Sequence, residues 1–200
     1  MLNNPSARRM ASVVIEPPAK ALLRLGVSPD AVTVTGTVLS VVVAIGCFTT
    51  GRLVLGVVLL AVIMLSDLVD GTMARLSGRS GPWGNFLDAT LDRVADGAVF
   101  GSLAIYAANA GLMWACAGAI TALVTGQVTS YAKARAEAVG ATANVGIAER
   151  AERLAVAFLG VIAAAAGWPL GLTIALWVIA LFGVITIVQR IVEVRGQLRS

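Results

Sequence analysis

Charge is missing from this chain in long blocks, and that limits what it can fold into. Residues 97–132 and 154–189 contain no Asp, Glu, Lys or Arg, and residues 30–66 contain one basic residue, Arg52. A membrane-spanning helix needs roughly 20 apolar residues. Each block is too long for one such helix and suits two joined by a turn. The turns are marked by Thr50-Gly51-Arg52, Asn109-Ala110-Gly111 and Gly167-Trp168-Pro169-Leu170-Gly171. The pattern predicts an all-α integral membrane bundle of six transmembrane helices, near 30–50, 53–77, 86–108, 112–138, 148–166 and 170–194. Only 13% of the chain is charged, whereas soluble domains average about 25%.

Residues 1–27 read as a juxtamembrane amphipathic segment and residues 28–200 as the six-helix membrane domain. The first segment has no apolar core followed by a small-residue cleavage site, so no cleavable signal peptide is expected. Arg8, Arg9, Lys20 and Arg24 suit a helix lying on anionic headgroups. Six spans put both ends of the chain on one side. All basic residues except Arg52 then fall on that side, which the positive-inside rule makes cytoplasmic. A net charge of +4 is thus concentrated on one membrane face, and no soluble domain is left to offer a nucleic-acid surface. Cys47 and Cys116 read as packing residues, and with no histidine present the commonest general base is missing.

The acidic residues also fall on the cytoplasmic side, and five of them cluster. Asp67 and Asp70 are three apart, with Gly71, Ala74 and Arg75 following on the same helix. After a turn-rich stretch, Gly84, Asp88, Asp92 and Asp96 stand at four-residue spacing. Residues three and four apart share a helix face, and a short connection makes the two helices antiparallel neighbours. Four carboxylates facing one space repel unless cations lie between them. Oxygen ligands without His or Cys select Mg²⁺, Mn²⁺ or Ca²⁺ over zinc, and paired metals on carboxylates are a recurrent device for displacement at phosphorus. Gly71 and Ala74 would let a bulky ligand approach the helix. A proton relay or cation transporter is the rival reading of intramembrane acids, but it gives no reason for Gly71, Ala74 and Arg75.

The pattern D-x-x-D-G-x-x-A-R, then G-x-x-x-D-x-x-x-D after eight residues, resembles the signature of the CDP-alcohol phosphotransferase family. Here it reads Asp67, Asp70, Gly71, Ala74, Arg75, Gly84, Asp88 and Asp92, with every gap matched. The resemblance implies a six-span, homodimeric membrane enzyme that moves a phosphatidyl group from a CDP-linked donor to an alcohol and releases CMP. It implies that Asp67, Asp70, Asp88 and Asp92 hold two Mg²⁺ ions, with Mn²⁺ as a substitute, and that Asp92 is the base. Gly71 and Arg75 would contact the donor, the guanidinium suiting a diphosphate.

Two more elements follow from the resemblance. Ser28-Pro29 marks a helix start, where the family often carries Pro-Asn-x-x-Thr for the nucleotide. This chain has Asp30 instead of Asn, so Asp30, Ala31, Val32 and Thr33 are expected to contribute chiefly through their backbone, with Gly81 closing the other side. The tracts K-A-R-A-E and N-V-G-I-A-E-R-A-E-R-L resemble the actinobacterial branch that makes phosphatidylinositol phosphate. That implies CDP-diacylglycerol as donor and inositol phosphate as acceptor, its phosphate held by Lys133, Arg135, Arg153 and Arg195. A phosphatidylglycerophosphate-forming branch, with glycerol 3-phosphate as acceptor, shares the signature and stays open as the alternative. Asp96 lies outside the signature and is expected to bond a neighbour such as Thr121 or Thr125.

Overall fold

A computed structural model describes residues 5–78, 81–147 and 149–199, the side chains of 5–14 and 66–68 excepted. Seven α-helices run in order: α1 (Pro5–Arg24), α2 (Pro29–Val43), α3 (Leu53–Leu76), α4 (Pro82–Asn109), α5 (Met113–Ala138), α6 (Arg150–Ala165) and α7 (Pro169–Gln197). A π-helical turn, Ala44–Phe48, extends α2. Among the described residues there is no strand. Helices α2–α7 coincide with the six expected spans, with one shift. The third begins at Pro82 rather than near 86, because proline lacks the N–H that a first turn leaves unused and its φ is already helical.

Three of these helices are long and apolar enough on their own to cross a membrane: Pro29–Phe48, Leu53–Leu76 and Pro169–Gln197. The expectation of six meets three on this measure, for visible reasons. Helix α4 carries Asp88, Asp92, Arg93 and Asp96 in its first half, and the charge-free part of α5, residues 113–132, is rich in Ala, Gly and Thr and so less apolar. Helix α6 has 16 residues, about 24 Å at the α-helical rise. Large apolar side chains such as Val38, Val42, Leu55, Val62, Leu181 and Val188 are exposed, an arrangement that suits lipid rather than water.

The chain divides into two compact units. The first comprises Met1–Val43 and Val58–Ala95, and so holds α1, α2, most of α3 and the start of α4. Helix α2 begins as its sequence directs, the Ser28 hydroxyl accepting the Ala31 N–H at 3.2 Å. Such a cap satisfies a backbone donor that the first turn leaves open.

The second unit comprises Ala44–Val57 and Asp96–Ser200. Within it, α5 and α6 both pack on α7, through small residues that bring the backbones close. A Cβ added at Gly160 would lie 2.6 Å from the Cβ of Ala175, and one at Gly183 would lie 2.5 Å from Thr125 Oγ1. Leu172, Leu176 and Ile179 fill the core beside Ala115, Ala119 and Ala122. Phe48 is fully buried against Gly56. Cys47 and Cys116 are free thiols.

The α5–α6 connection is fastened along α7. The Gln197 side-chain amide accepts from the Thr142 N–H at 2.8 Å and donates to its carbonyl at 2.9 Å. Arg190 Nε donates to the Val145 carbonyl at 3.0 Å. Gly146, with φ +152°, passes so near buried Thr186 that a Cβ would meet its methyl at 2.6 Å.

Candidate active site

The first unit holds the signature residues. Asp70 is 9% exposed, and the Thr33 hydroxyl donates to its Oδ2 at 2.7 Å. That bond joins α2 to α3 and fixes one carboxylate oxygen. Asp88, on the first turns of α4, is exposed and close enough for its charge to be felt at Asp70. Asp92 is half-buried and lies 3.7 Å from Arg93 Nη2. The side chain of Asp67 lies outside the described residues. Among those described, no three carboxylates converge as a metal cluster.

The signature's small residues leave room. A Cβ at Gly71 would meet only Arg75 Nη1, at 3.8 Å, and one at Gly81 or Gly84 would meet nothing within 4 Å. Among the described residues no contact therefore requires glycine at these sites. Arg75 is exposed and steadied by Thr72, whose hydroxyl accepts from Nη2 at 2.9 Å. An exposed guanidinium over an open patch of helix, beside all-oxygen ligands, fits a diphosphate carried on hard divalent cations.

Two features here were not foreseen. Thr33, expected to act through its backbone, spends its hydroxyl on Asp70. The Asp30 carboxylate accepts the indole N–H of Trp83 at 3.0 Å. That links the start of α2 to the start of α4, and Trp83 lies beside Phe86 with ring centroids 6.0 Å apart. Partners 37 and 53 residues apart leave no local spacing signal.

The second unit sorts the four residues expected to hold the acceptor phosphate. Arg135 and Arg195 line one cavity of ≈ 370 Å³, walled otherwise by Ala, Val and Ile side chains and by a third cation, Arg190. Among the described residues lining it none is acidic. Arg190 was not foreseen. Its Nη1 donates to the Thr129 carbonyl and its Nε to that of Val145, so backbone dipoles hold it in place. Lys133 is exposed and is not among the lining residues. Arg153 is 4% exposed, its Nη2 lying 3.3 Å from Asp96 Oδ2, and Arg150 Nε lies 3.0 Å from Asp96 Oδ1. These arginines stand where the sequence suggested Thr121 or Thr125 as partners for Asp96. The two threonine hydroxyls bond carbonyls of their own helix, those of Ala117 and Thr121.

Comparison with known proteins identifies the family. The model of the CDP-alcohol phosphatidyltransferase family matches residues 26–189. The phosphatidylinositol phosphate synthase of Cutibacterium acnes is 45% identical over 197 residues, spanning 94% of this chain and 95% of that protein. The enzyme of the same description from Streptomyces avermitilis is 43% identical over 202 residues, spanning 97% of this chain and 83% of that protein. Among solved structures, Mycobacterium tuberculosis phosphatidylinositol phosphate synthase with CDP-DAG bound superposes with a TM-score of 0.87 at 40% identity, covering 90% of this chain and 93% of that one. The same enzyme with manganese and citrate gives a TM-score of 0.85 at 39% identity, covering 90% of this chain and 88% of that one.

Proposed function

Because the chain belongs to the CDP-alcohol phosphatidyltransferase family, we propose that it transfers the phosphatidyl group of CDP-diacylglycerol to a hydroxyl of inositol phosphate, yielding phosphatidylinositol phosphate and CMP. A phosphorylated acceptor is supported by the cavity lined by Arg135, Arg190 and Arg195, without an acidic residue among the described residues around it, and inositol phosphate over glycerol 3-phosphate by the 43–45% identity to phosphatidylinositol phosphate synthases. An acceptor that is itself a phosphate ester needs such cations, whereas free inositol does not.

The protein is an integral membrane transferase. In this reading its six spans are α2–α7, with α1 on the headgroups, in the plasma membrane as a homodimer whose site opens to the cytoplasm. Two divalent cations, Mg²⁺ or Mn²⁺, held by Asp67, Asp70, Asp88 and Asp92 supply positive charge to the diphosphate and acidify the acceptor hydroxyl. Thr33 keeps Asp70 turned toward that task. Arg75 forks onto the diphosphate, and Gly71 and Gly81 leave room for the nucleotide beside Asp30, Ala31 and Val32. Arg135, Arg190 and Arg195 hold the acceptor phosphate from the cavity they line, with Arg153 on α6 and Lys133 near the end of α5 adding positive charge to the acceptor site. Asp92 takes the hydroxyl proton, and the freed oxygen attacks the phosphorus bearing diacylglycerol. The bond from that phosphorus to the oxygen bridging to CMP breaks, and CMP leaves.

The test is CMP release by purified protein from CDP-diacylglycerol, with inositol phosphate, free inositol and glycerol 3-phosphate offered separately. Turnover with inositol phosphate is expected. Turnover with glycerol 3-phosphate alone would overturn the acceptor assignment.

A further inference from the structure

Asp96 lies one helical turn beyond Asp92, and no step above uses it. It is 4% exposed, as is Arg153, while the side chain of Arg150 is 23% exposed. Buried charge is costly unless it is paired, and here the pairing is specific: one carboxylate oxygen takes Arg150 and the other takes Arg153. Arg150 and Arg153 are three apart and so share a face of the first turns of α6. Without a carboxylate between them, two like charges on long flexible side chains would move apart.

A second contact limits Arg153 from the side of α5. A Cβ at Gly126 would lie 2.9 Å from Arg153 Nη1 and 3.2 Å from its Cζ. The missing side chain is thus a notch for the guanidinium. An alanine there would meet only the far end of a flexible side chain and displace it.

We infer that Asp96 is a positioning residue for the acceptor site, fixing together with the Gly126 notch where Arg153 and Arg150 hold their guanidiniums. This rests on the reading that Arg153 serves the acceptor's phosphate. Asp96 touches neither substrate, and its effect reaches the reaction only through the two arginines.

The test measures CMP release by Asp96→Asn and Gly126→Ala, varying inositol phosphate at saturating CDP-diacylglycerol and then the reverse. In Asp96→Asn the acceptor KM rises about tenfold or more, as expected when a buried charge loses its partner. In Gly126→Ala it rises by a smaller factor, and the donor KM stays unchanged in both. Gly126→Ala keeps all three charged groups and alters only where one sits, so it decides the matter even where Asp96→Asn does not fold. An unchanged acceptor KM in Gly126→Ala would reduce the cluster to a structural one. A lowered acceptor KM in Asp96→Asn would show Asp96 competing with the phosphate, and would overturn the positioning role. If the parent enzyme used glycerol 3-phosphate but not inositol phosphate, the acceptor reading would fail by itself. The same two variants assayed with glycerol 3-phosphate would still decide the role of Asp96.

Discussion

Glycine does opposite work in the two units. In the first, Gly71, Gly81 and Gly84 have no atom of the described residues closer than 3.8 Å to where a Cβ would stand. In the second, Gly160 and Gly183 are pressed against Ala175 and Thr125. On the proposed function the first set keeps a surface clear for the donor, whereas the second set lets helices touch. The charges divide in the same way. The first unit presents the signature carboxylates, and the second presents arginines held by carbonyls or by Asp96. Composition alone does not separate these uses, since both units are rich in glycine and in apolar helix.

The sharpest test of the first unit's role is Asp92→Asn. Loss of a general base costs about 10²–10⁴-fold in rate, so CMP release should collapse while CDP-diacylglycerol still binds. Near-normal turnover would remove Asp92 as the base. Thr33→Val keeps the size of the side chain and deletes its bond to Asp70. Residues behind a metal ligand typically contribute about 10–100-fold in metal affinity or activity, so the Mg²⁺ or Mn²⁺ concentration for half-maximal activity should rise by that order, and an unchanged value would make the bond merely structural.

The glycine contrast itself is broken or sharpened by two alanines. Gly160→Ala forces a methyl into a packed contact and should destabilise the protein by about 1–3 kcal/mol, as overpacking does, read as a lower Tm in detergent. Gly71→Ala should leave Tm unchanged or slightly higher, because alanine favours a helix interior over glycine by up to about 1 kcal/mol. Its damage should appear only as weaker binding of CDP-diacylglycerol. Equal losses of Tm in the two variants would erase the distinction.

Much of this was legible in the sequence because the information is periodic or local. Uncharged blocks, turn glycines and the Ser28 cap set the helices, and the four-residue spacing of Asp88 and Asp92 put them on one face of α4. What stayed hidden is partner choice across the fold. Spacing shows that Asp96 shares a face with Asp92, but not that α6 would bring Arg150 and Arg153 to it. Arg190 reads only as one of the basic residues of the cytoplasmic side until the α5–α6 connection is seen lying against α7 and offering it the Val145 carbonyl. Thr33 reads as part of a helix start until α3 brings Asp70 to its hydroxyl. The six-span expectation was drawn from blocks of missing charge. Of the other three helices, α4 is charged in its first half, α5 is rich in small residues and α6 has 16 residues, so length and hydropathy alone do not count them.

The most direct measurement of the central claim is the identity of the lipid product. Purified protein given CDP-diacylglycerol, Mg²⁺ and an equimolar mixture of inositol phosphate, inositol and glycerol 3-phosphate should yield a lipid whose mass includes an inositol ring and a second phosphate, with CMP released one for one. A product carrying glycerol phosphate would contradict the choice of inositol phosphate, and one carrying inositol without its own phosphate would contradict the assignment of the arginine-lined cavity.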